Sequence, residues 1–74
     1  MVSRPFDLLN DAIGKEALII LKAGRQVQGV LLAFDVHMNL VVDDAVLTEQ
    51  DGTEKKLGRI LIRGDTVVLV APSL

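Results

Sequence analysis

The sequence predicts an all-β domain with one N-terminal helix, built as a small, strongly bent, five-stranded open barrel. The chain has 74 residues and no cysteine, which indicates one domain without disulfide bonds. From residue 17 onward, short apolar runs alternate with turn signals and extend almost to the end of the chain. Gly29 and Gly58 interrupt two of these runs, and glycine within a strand allows the sharp bends that a small barrel needs.

The first element is a helix predicted over residues 3–13. Ser3 is a suitable N-cap, and Pro5 suits the first turn because proline lacks the N–H that would be unpaired there. A helix of this length is marginal on its own, so we expect it to pack against the strands. The expected packing face consists of three apolar residues at helical spacing: Phe6, Leu9 and Ile13.

Five strands follow, and the breaks between them identify the turns. A tight turn is expected at residues 23–25, where Gly24 adopts a positive φ, and the two aspartates at 43–44 indicate a kink. The Asp-Gly pair at 51–52 favours a type I′ hairpin turn. Alternation on the second strand predicts one face with three apolar residues: Val27, Leu31 and Ala33. The predicted strands are 17–22, 26–34, 40–48, 55–62 and 66–71, the last ended by Pro72.

The fifth strand is apolar on both faces, which predicts self-association. Residues 67–70 read Val-Val-Leu-Val, and an exposed strand of this kind aggregates unless its edge is covered. Half of the chain is hydrophobic, and the surplus suits an interface. Pairing between edge strands of identical subunits is head-to-tail, so it closes into a ring or continues as a filament.

Composition argues against several classes of function. The net charge of −2 disfavours a protein that coats duplex DNA through a broad basic face. With one histidine and no cysteine, one subunit cannot supply a histidine-based or thiolate metal site, and we expect no metal and no cofactor. The apolar runs are far below the roughly 18 residues of a membrane span, and the N-terminus does not resemble a signal peptide. We therefore expect a cytoplasmic protein.

Two polar interruptions of the strands carry the candidate functional residues. The first reads Asp-Val-His-Met-Asn-Leu at residues 35–40, and the second reads Arg-Gly-Asp at residues 63–65. Taken separately, each residue has a structural interpretation: His37 as an ordinary loop residue, Asn39 as a turn former and Arg63 as a solvated turn charge.

In combination, these stretches resemble the Sm and Sm-like (LSm) family in its archaeal form. The first Sm motif corresponds to residues 21–25, Gly29 and 34–41, and the second to residues 58–68. Phe34 departs from several archaeal relatives, which have tyrosine at this position. The resemblance indicates a single Sm-like domain over residues 1–74, with the helix at 3–13, the first motif region at 17–48 and the second at 55–71.

The resemblance implies a ring of identical subunits, usually seven in archaeal members, joined through the fourth and fifth strands. It also implies that single-stranded, uridine-rich RNA binds at the inner rim, one base per subunit. Such a ring acts as an RNA chaperone or scaffold in RNA processing, with RNA-processing proteins as further partners. Asp35 corresponds to the residue that orients the asparagine. The RNA-binding residues that carry over from the family are His37, Asn39, Arg63, Gly64 and Asp65.

These residue types suit the recognition of uracil. The imidazole of His37 and the guanidinium of Arg63 are flat and can hold a base between them. The amide of Asn39 offers one acceptor and one donor to the uracil edge. Cytosine presents the opposite pattern, so selectivity requires a fixed amide, and Asp35 is placed to accept from its NH₂. Gly64 permits close approach because it has no Cβ.

Three alternatives stay open at this point. One is a ring whose main partners are proteins, with incidental RNA binding. Another is a ribonuclease with His37 as general base beside Asp35. The third concerns the RNA path, since Arg4 on the helix is a candidate for a second contact on one face of the ring. The bacterial Hfq branch fits less well, because its second motif differs from Arg-Gly-Asp and its ring is a hexamer.

Overall fold

A helix precedes five antiparallel strands in the computed structural model, which describes residues 4–72. The strands form one sheet in the order β4-β3-β2-β1-β5, and register shifts in three of its four strand pairs bend it. The predicted fold class is confirmed. No helical segment within residues 4–72 has the length and apolar character required to cross a membrane. The elements are α1 (Pro5–Asp11), β1 (Glu16–Leu21), β2 (Gln26–Phe34), β3 (Leu40–Thr48), β4 (Glu54–Ile62) and β5 (Val67–Pro72).

The helix begins later than predicted. Its first residue is Pro5, and Arg4 occupies the N-cap position. Ser3, the predicted N-cap, lies outside the described residues. The Arg4 side chain forms two hydrogen bonds with the Asp7 carboxylate, at 2.8 and 3.2 Å. Asp7 lies in the first turn, where the helix dipole favours a negative charge.

The helix also ends earlier than predicted, at Asp11, and this changes its buried face. The N–H of Gly14 donates to the carbonyl oxygen of Leu31 in β2 at 2.7 Å, so the chain has already turned toward the sheet. Ile13 therefore lies beyond the helix and is exposed. Leu9 and the following Ala12 are buried instead. The predicted packing face was wrong for Ile13 alone: Leu9 is buried, and Phe6, although 60% exposed, contacts the Phe34 ring of β2.

The turn between β1 and β2 is a single 3₁₀ turn over Lys22–Gly24, one residue earlier than predicted. Gly24 has the expected positive φ of 72°, and Ala23 shares this conformation at 64°. The N–H of Leu21 donates to the carbonyl oxygen of Arg25 at 2.8 Å, which closes the turn and sets β2 antiparallel to β1.

Gly29 permits the close approach of β2 and β3. A Cβ at this position would lie 2.6 Å from Cγ1 of Val42 and 2.7 Å from the carbonyl oxygen of Asp43, so no side chain fits. The pairing register between β2 and β3 shifts at the same point, between Gln28 and Val30. The glycine that the sequence marked as a bend is therefore required by packing as well.

The kink predicted at Asp43-Asp44 is a bulge in β3. Asp44 has a positive φ of 50°, and the pairing with β4 shifts between Val42 and Ala45. Ala45 pairs with Gly58, whose φ is 71°. The predicted bend in β4 therefore lies opposite the bulge in β3.

The second strand changes its buried face near its end. Val27 and Leu31 are buried, as alternation predicts, but Ala33 is exposed. The prediction for Ala33 was wrong because the register against β3 shifts between Leu31 and Ala33, and a shift of one residue reverses the faces. Phe34 is partly buried against the core, and its ring contacts the edge of the Phe6 ring with centroids 5.4 Å apart.

The hairpin between β3 and β4 has a different turn from the one predicted. A type I′ turn requires positive φ at both central residues, but Gly52 alone has it here, at 90°, while Gln50 and Asp51 do not. The N–H of Gly52 donates to the carbonyl oxygen of Glu49 at 2.9 Å, and the N–H of Glu49 donates to that of Thr53 at 2.8 Å. This is a three-residue loop in which a left-handed glycine follows an ordinary turn.

The two edge strands leave large apolar side chains at the surface. Leu61 of β4 is 66% exposed and Val68 of β5 is 64% exposed. Both strands lie at the ends of the sheet order, so their outer backbone groups are available for a further strand. The buried core between the bent halves of the sheet consists of Ala12, Ala17, Ile19, Val27, Leu31, Leu40, Val42, Ala45, Leu47 and Ile62.

Candidate functional site

The two polar interruptions meet at one end of the β3–β4 pair. Leu40, the first residue of β3, pairs with Ile62, the last residue of β4. The loop at residues 35–39 precedes Leu40, and the loop at residues 63–66 follows Ile62. Strand pairing alone therefore brings these loops together, as the sequence analysis predicted.

Asp35 organises the first loop. Its Oδ1 accepts hydrogen bonds from the backbone N–H of His37 at 2.9 Å and of Asn39 at 3.0 Å. The N–H of Met38 donates to the Asp35 carbonyl oxygen at 3.0 Å. The hydrogen bond from the Asn39 side chain, together with those from the two backbone N–H groups, holds the pKa of Asp35 below its ordinary value. The carboxylate is thus an ionised acceptor at neutral pH.

The amide of Asn39 joins the two loops. Its Nδ2 donates to Oδ2 of Asp35 at 3.0 Å, which is the hydrogen bond expected from the sequence. Its Oδ1 accepts from the backbone N–H of Gly64 at 2.7 Å, across 25 residues of sequence. If the amide were flipped, its oxygen would face the Asp35 carboxylate, which is an acceptor, and its NH₂ would face the Gly64 N–H, which is a donor. Both partners therefore favour the same orientation of the amide.

Gly64 is required by the contact between the loops. A Cβ at Gly64 would overlap the carbonyl oxygen of His37 and lie 2.8 Å from the His37 carbonyl carbon. It would also lie 2.9 Å from the carbonyl carbon of Met38. The sequence predicted that Gly64 permits a close approach. In the structure, the backbone of the first loop is what approaches this glycine closely. The hydrogen bond from the Gly64 N–H to the Asn39 side chain was not predicted.

Arg63 and Asp65 form the outer part of the second loop. Nη2 of Arg63 lies 3.2 Å from Oδ2 of Asp65, with both side chains more than half exposed. An ion pair this exposed contributes little to stability. Thr66, which the sequence analysis did not single out, donates its N–H and its Oγ1–H to the Arg63 carbonyl oxygen at 3.1 and 2.7 Å. These two bonds fix the backbone from which the guanidinium extends.

One open cavity of about 410 Å³ is formed by both loops. It brings together side chains able to stack with those able to form directional hydrogen bonds. Among residues 4–72, no group of three or more histidine, aspartate or glutamate side chains is arranged to hold a metal ion. The cavity is lined by His37, Asn39, Arg63, Gly64 and Asp65, the five residues named from the sequence.

A strongly bent five-stranded sheet, an N-terminal helix and two interlocked polar loops define the class of Sm-type barrels. Within that class, the chain belongs to the LSM domain family, whose family model matches residues 7–72. An snRNP Sm-like protein of Methanococcoides burtonii is 46% identical over 72 residues, which cover 97% of this chain and 100% of the relative. One from Pyrococcus horikoshii is 38% identical over 73 residues, covering 99% and 97%.

Solved structures of archaeal Sm proteins have the same fold. The Pyrococcus abyssi Sm protein in complex with a uridine heptamer superimposes with a TM-score of 0.87 at 36% identity, covering 96% of this chain and 100% of that one. The SmAP1 heptamer of P. aerophilum gives a TM-score of 0.89 at 32% identity, covering 100% and 99%. Both similarities extend over nearly the whole chain.

Proposed function

We propose that this chain is a subunit of an RNA-binding Sm-like ring that binds single-stranded, uridine-rich RNA at its inner rim, one base per subunit. The ring serves as a chaperone or scaffold in RNA processing, and the whole chain, residues 1–74, acts as one Sm-like domain. The observation that carries this proposal is the Asn39 amide, held from both sides within a cavity that His37 and Arg63 also line.

The cavity chemistry favours uracil. A side-chain amide has two N–H donors and two acceptor lone pairs, and the bonds to Asp35 and Gly64 use one of each. The remaining donor and acceptor match a carbonyl and the N3–H of uracil. Stacking of the base with His37 and Arg63 contributes roughly 1–3 kcal/mol per base. Edge recognition supplies the selectivity, and stacking supplies much of the affinity.

Assembly into a ring fits the exposed edge strands. Apolar side chains such as Leu61 on β4 and Val68 on β5 are at the surface of the single subunit, and a β4–β5 contact between subunits buries them. The heptameric P. aerophilum relative supports seven subunits. One weak pocket per subunit then acts by multivalency, which raises affinity by orders of magnitude. The ring also gathers one Arg63 guanidinium per subunit at the rim, each with the Asp65 carboxylate 3.2 Å away.

Binding is proposed here rather than catalysis. A general base at His37 would need a partner to orient its imidazole or a second acid. The candidate that the sequence offered for this part, Asp35, uses its carboxylate on the backbone N–H groups of His37 and Asn39 and on the Asn39 amide. Asp35 therefore stabilises the conformation of the first loop. We propose the cytoplasm as the site of this activity.

The proposal is tested with fluorescence anisotropy on oligo-U, oligo-C and oligo-A of equal length, and with native mass spectrometry on the same samples. We expect tightest binding to oligo-U and one bound nucleotide position per subunit of a seven-membered ring. Equal affinity for the three oligonucleotides would contradict uracil recognition and favour the alternative of a ring whose partners are proteins. A monomer would contradict the ring.

A further inference from the structure

Met38 has an uncommon backbone conformation at the centre of the site. Its φ is +64°, in the left-handed region that is unfavourable for residues with a Cβ and is usually occupied by glycine, asparagine or aspartate. Met38 lies between His37 and Asn39, whose side chains line the same cavity. A non-glycine residue persists in such a conformation only when its surroundings determine it.

Three contacts determine this conformation. The N–H of Met38 donates to the Asp35 carbonyl oxygen at 3.0 Å. Its partly buried side chain packs against the hydrophobic core. On the other side, Gly64 lies so close that a Cβ there would be 2.9 Å from the Met38 carbonyl carbon. The left-handed residue is therefore held by its own loop, by the core and by the second loop at once.

From this geometry we infer that Met38 is a positioning residue of the pocket. Its core-anchored side chain and left-handed backbone together set the directions from which His37 and Asn39 enter the cavity. If Met38 leaves this conformation, the His37 carbonyl moves away from Gly64, or the Asn39 amide moves away from one of its two partners. The inference rests on the proposed uracil-binding function, since it names a residue that shapes that site without lining it.

The test compares two apolar substitutions that differ at Cβ. Met38→Leu keeps an unbranched Cβ and an apolar anchor, so oligo-U affinity and the preference for oligo-U over oligo-C should stay within about two-fold of wild type. Met38→Ile places a β-branched residue where φ is positive, which is a strong outlier. We expect about ten-fold weaker oligo-U binding, with the U-over-C preference reduced as well.

The matched control is the same pair of substitutions at Asp44. This residue also has a positive φ, 50°, but it lies in the β3 bulge and does not line the cavity. Asp44→Leu and Asp44→Ile lose the same charge and differ in the same way at Cβ. They should differ in unfolding midpoint while binding oligo-U equally. If the Asp44 pair differs in oligo-U binding as much as the Met38 pair, the positioning role is overturned.

Two further outcomes keep the inference separate from the proposed function. If wild type does not prefer oligo-U, the proposed function fails; if it does and Met38→Ile keeps wild-type affinity and preference, only the role of Met38 fails. Should Met38→Ile not fold, Met38→Gly replaces it, because glycine accepts the backbone conformation but lacks the anchor. Met38→Gly should also bind oligo-U about ten-fold more weakly, and wild-type binding by this variant would overturn the inference.

Discussion

Replacement of Gly64 by alanine should separate the two loops of the site. The new Cβ would overlap the His37 carbonyl oxygen and lie 2.8 Å from the His37 carbonyl carbon, so the loops must separate by more than the 0.6 Å that the carbon alone requires to reach ordinary contact at 3.4 Å. Backbone atoms cannot rotate away as side-chain atoms do, so one loop must move. A separation of more than 0.6 Å along the 2.7 Å bond from Gly64 to Asn39 would lengthen that bond beyond 3.3 Å, outside the usual range.

The cost follows from these two effects. Overpacking of a fixed backbone contact costs about 1–3 kcal/mol, and loss of a part-buried hydrogen bond costs about 0.5–1.5 kcal/mol. The free energy of unfolding should therefore fall by about 1.5–4.5 kcal/mol. Because the Asn39 amide loses one of the two partners that fix it, the preference for oligo-U over oligo-C should fall together with stability.

The assay combines urea unfolding with oligo-U and oligo-C anisotropy. Variants are compared at equal protomer concentration, because assembly contributes to apparent stability. Gly52→Ala is the control: its Cβ would meet nothing within 4 Å, and only its φ of 90° is unfavourable. We expect that variant to lose about 1 kcal/mol of stability, the cost of a Cβ at a positive φ, and to bind as wild type does. The reasoning is refuted if Gly64→Ala matches Gly52→Ala in both stability and base preference.

Three further predictions concern the polar residues of the site. Arg63→Ala should weaken oligo-U binding about ten-fold per pocket in an intact ring, whereas Arg59→Ala, which removes a charge paired with Asp43, should not; anisotropy and native mass spectrometry check both. Asn39→Ala should lower the ratio of oligo-U to oligo-C affinity more than it lowers the affinity for either oligonucleotide. If the ratio is preserved, a residue other than Asn39 recognises the edge of the base. The lowered pKa of Asp35 means that its ionised carboxylate stabilises the folded loop above the unfolded pKa of about 3.9. This stabilisation is lost as the pH falls through the lower pKa of the folded state. In a His37→Gln background, which removes the other titratable side chain of the first loop, amide NMR signals of that loop should thus stay unchanged from pH 7 to 5 and shift only below about pH 4.

The long strands were predictable because their signals are local. The bounds of β2 and β3, 26–34 and 40–48, match the predicted ranges at both ends. Each is a long apolar run that ends at a polar break, and the Asp-Gly pair located the hairpin between β3 and β4. The end of the helix was not predictable in this way, since it is set by a hydrogen bond from Gly14 to β2. The sequence of the helix itself contains no signal for that tertiary contact.

The site was predictable in composition but not in its bonding. Residue types and the family resemblance named the five residues that line the cavity, together with the bond from Asn39 to Asp35. The bond from Gly64 to Asn39 and the support of Arg63 by Thr66 depend on how two loops pack, and one-dimensional spacing carries no signal for that. The same holds for Ala33, whose exposure follows from a register shift between strands.

The bonding also supports the proposal that this small exposed pocket selects one pyrimidine. A free amide satisfies uracil or cytosine by turning over, so it discriminates weakly between them. Here the nitrogen of Asn39 faces the ionised Asp35 carboxylate, which can only accept, and its oxygen faces the Gly64 N–H, which can only donate. Turning the amide over opposes both partners at once, and neither can adapt. In the proposed function, the selectivity for uracil is therefore set by the packing of the two loops before any RNA arrives, and changes that loosen this packing should reduce base preference even when every residue lining the cavity is retained.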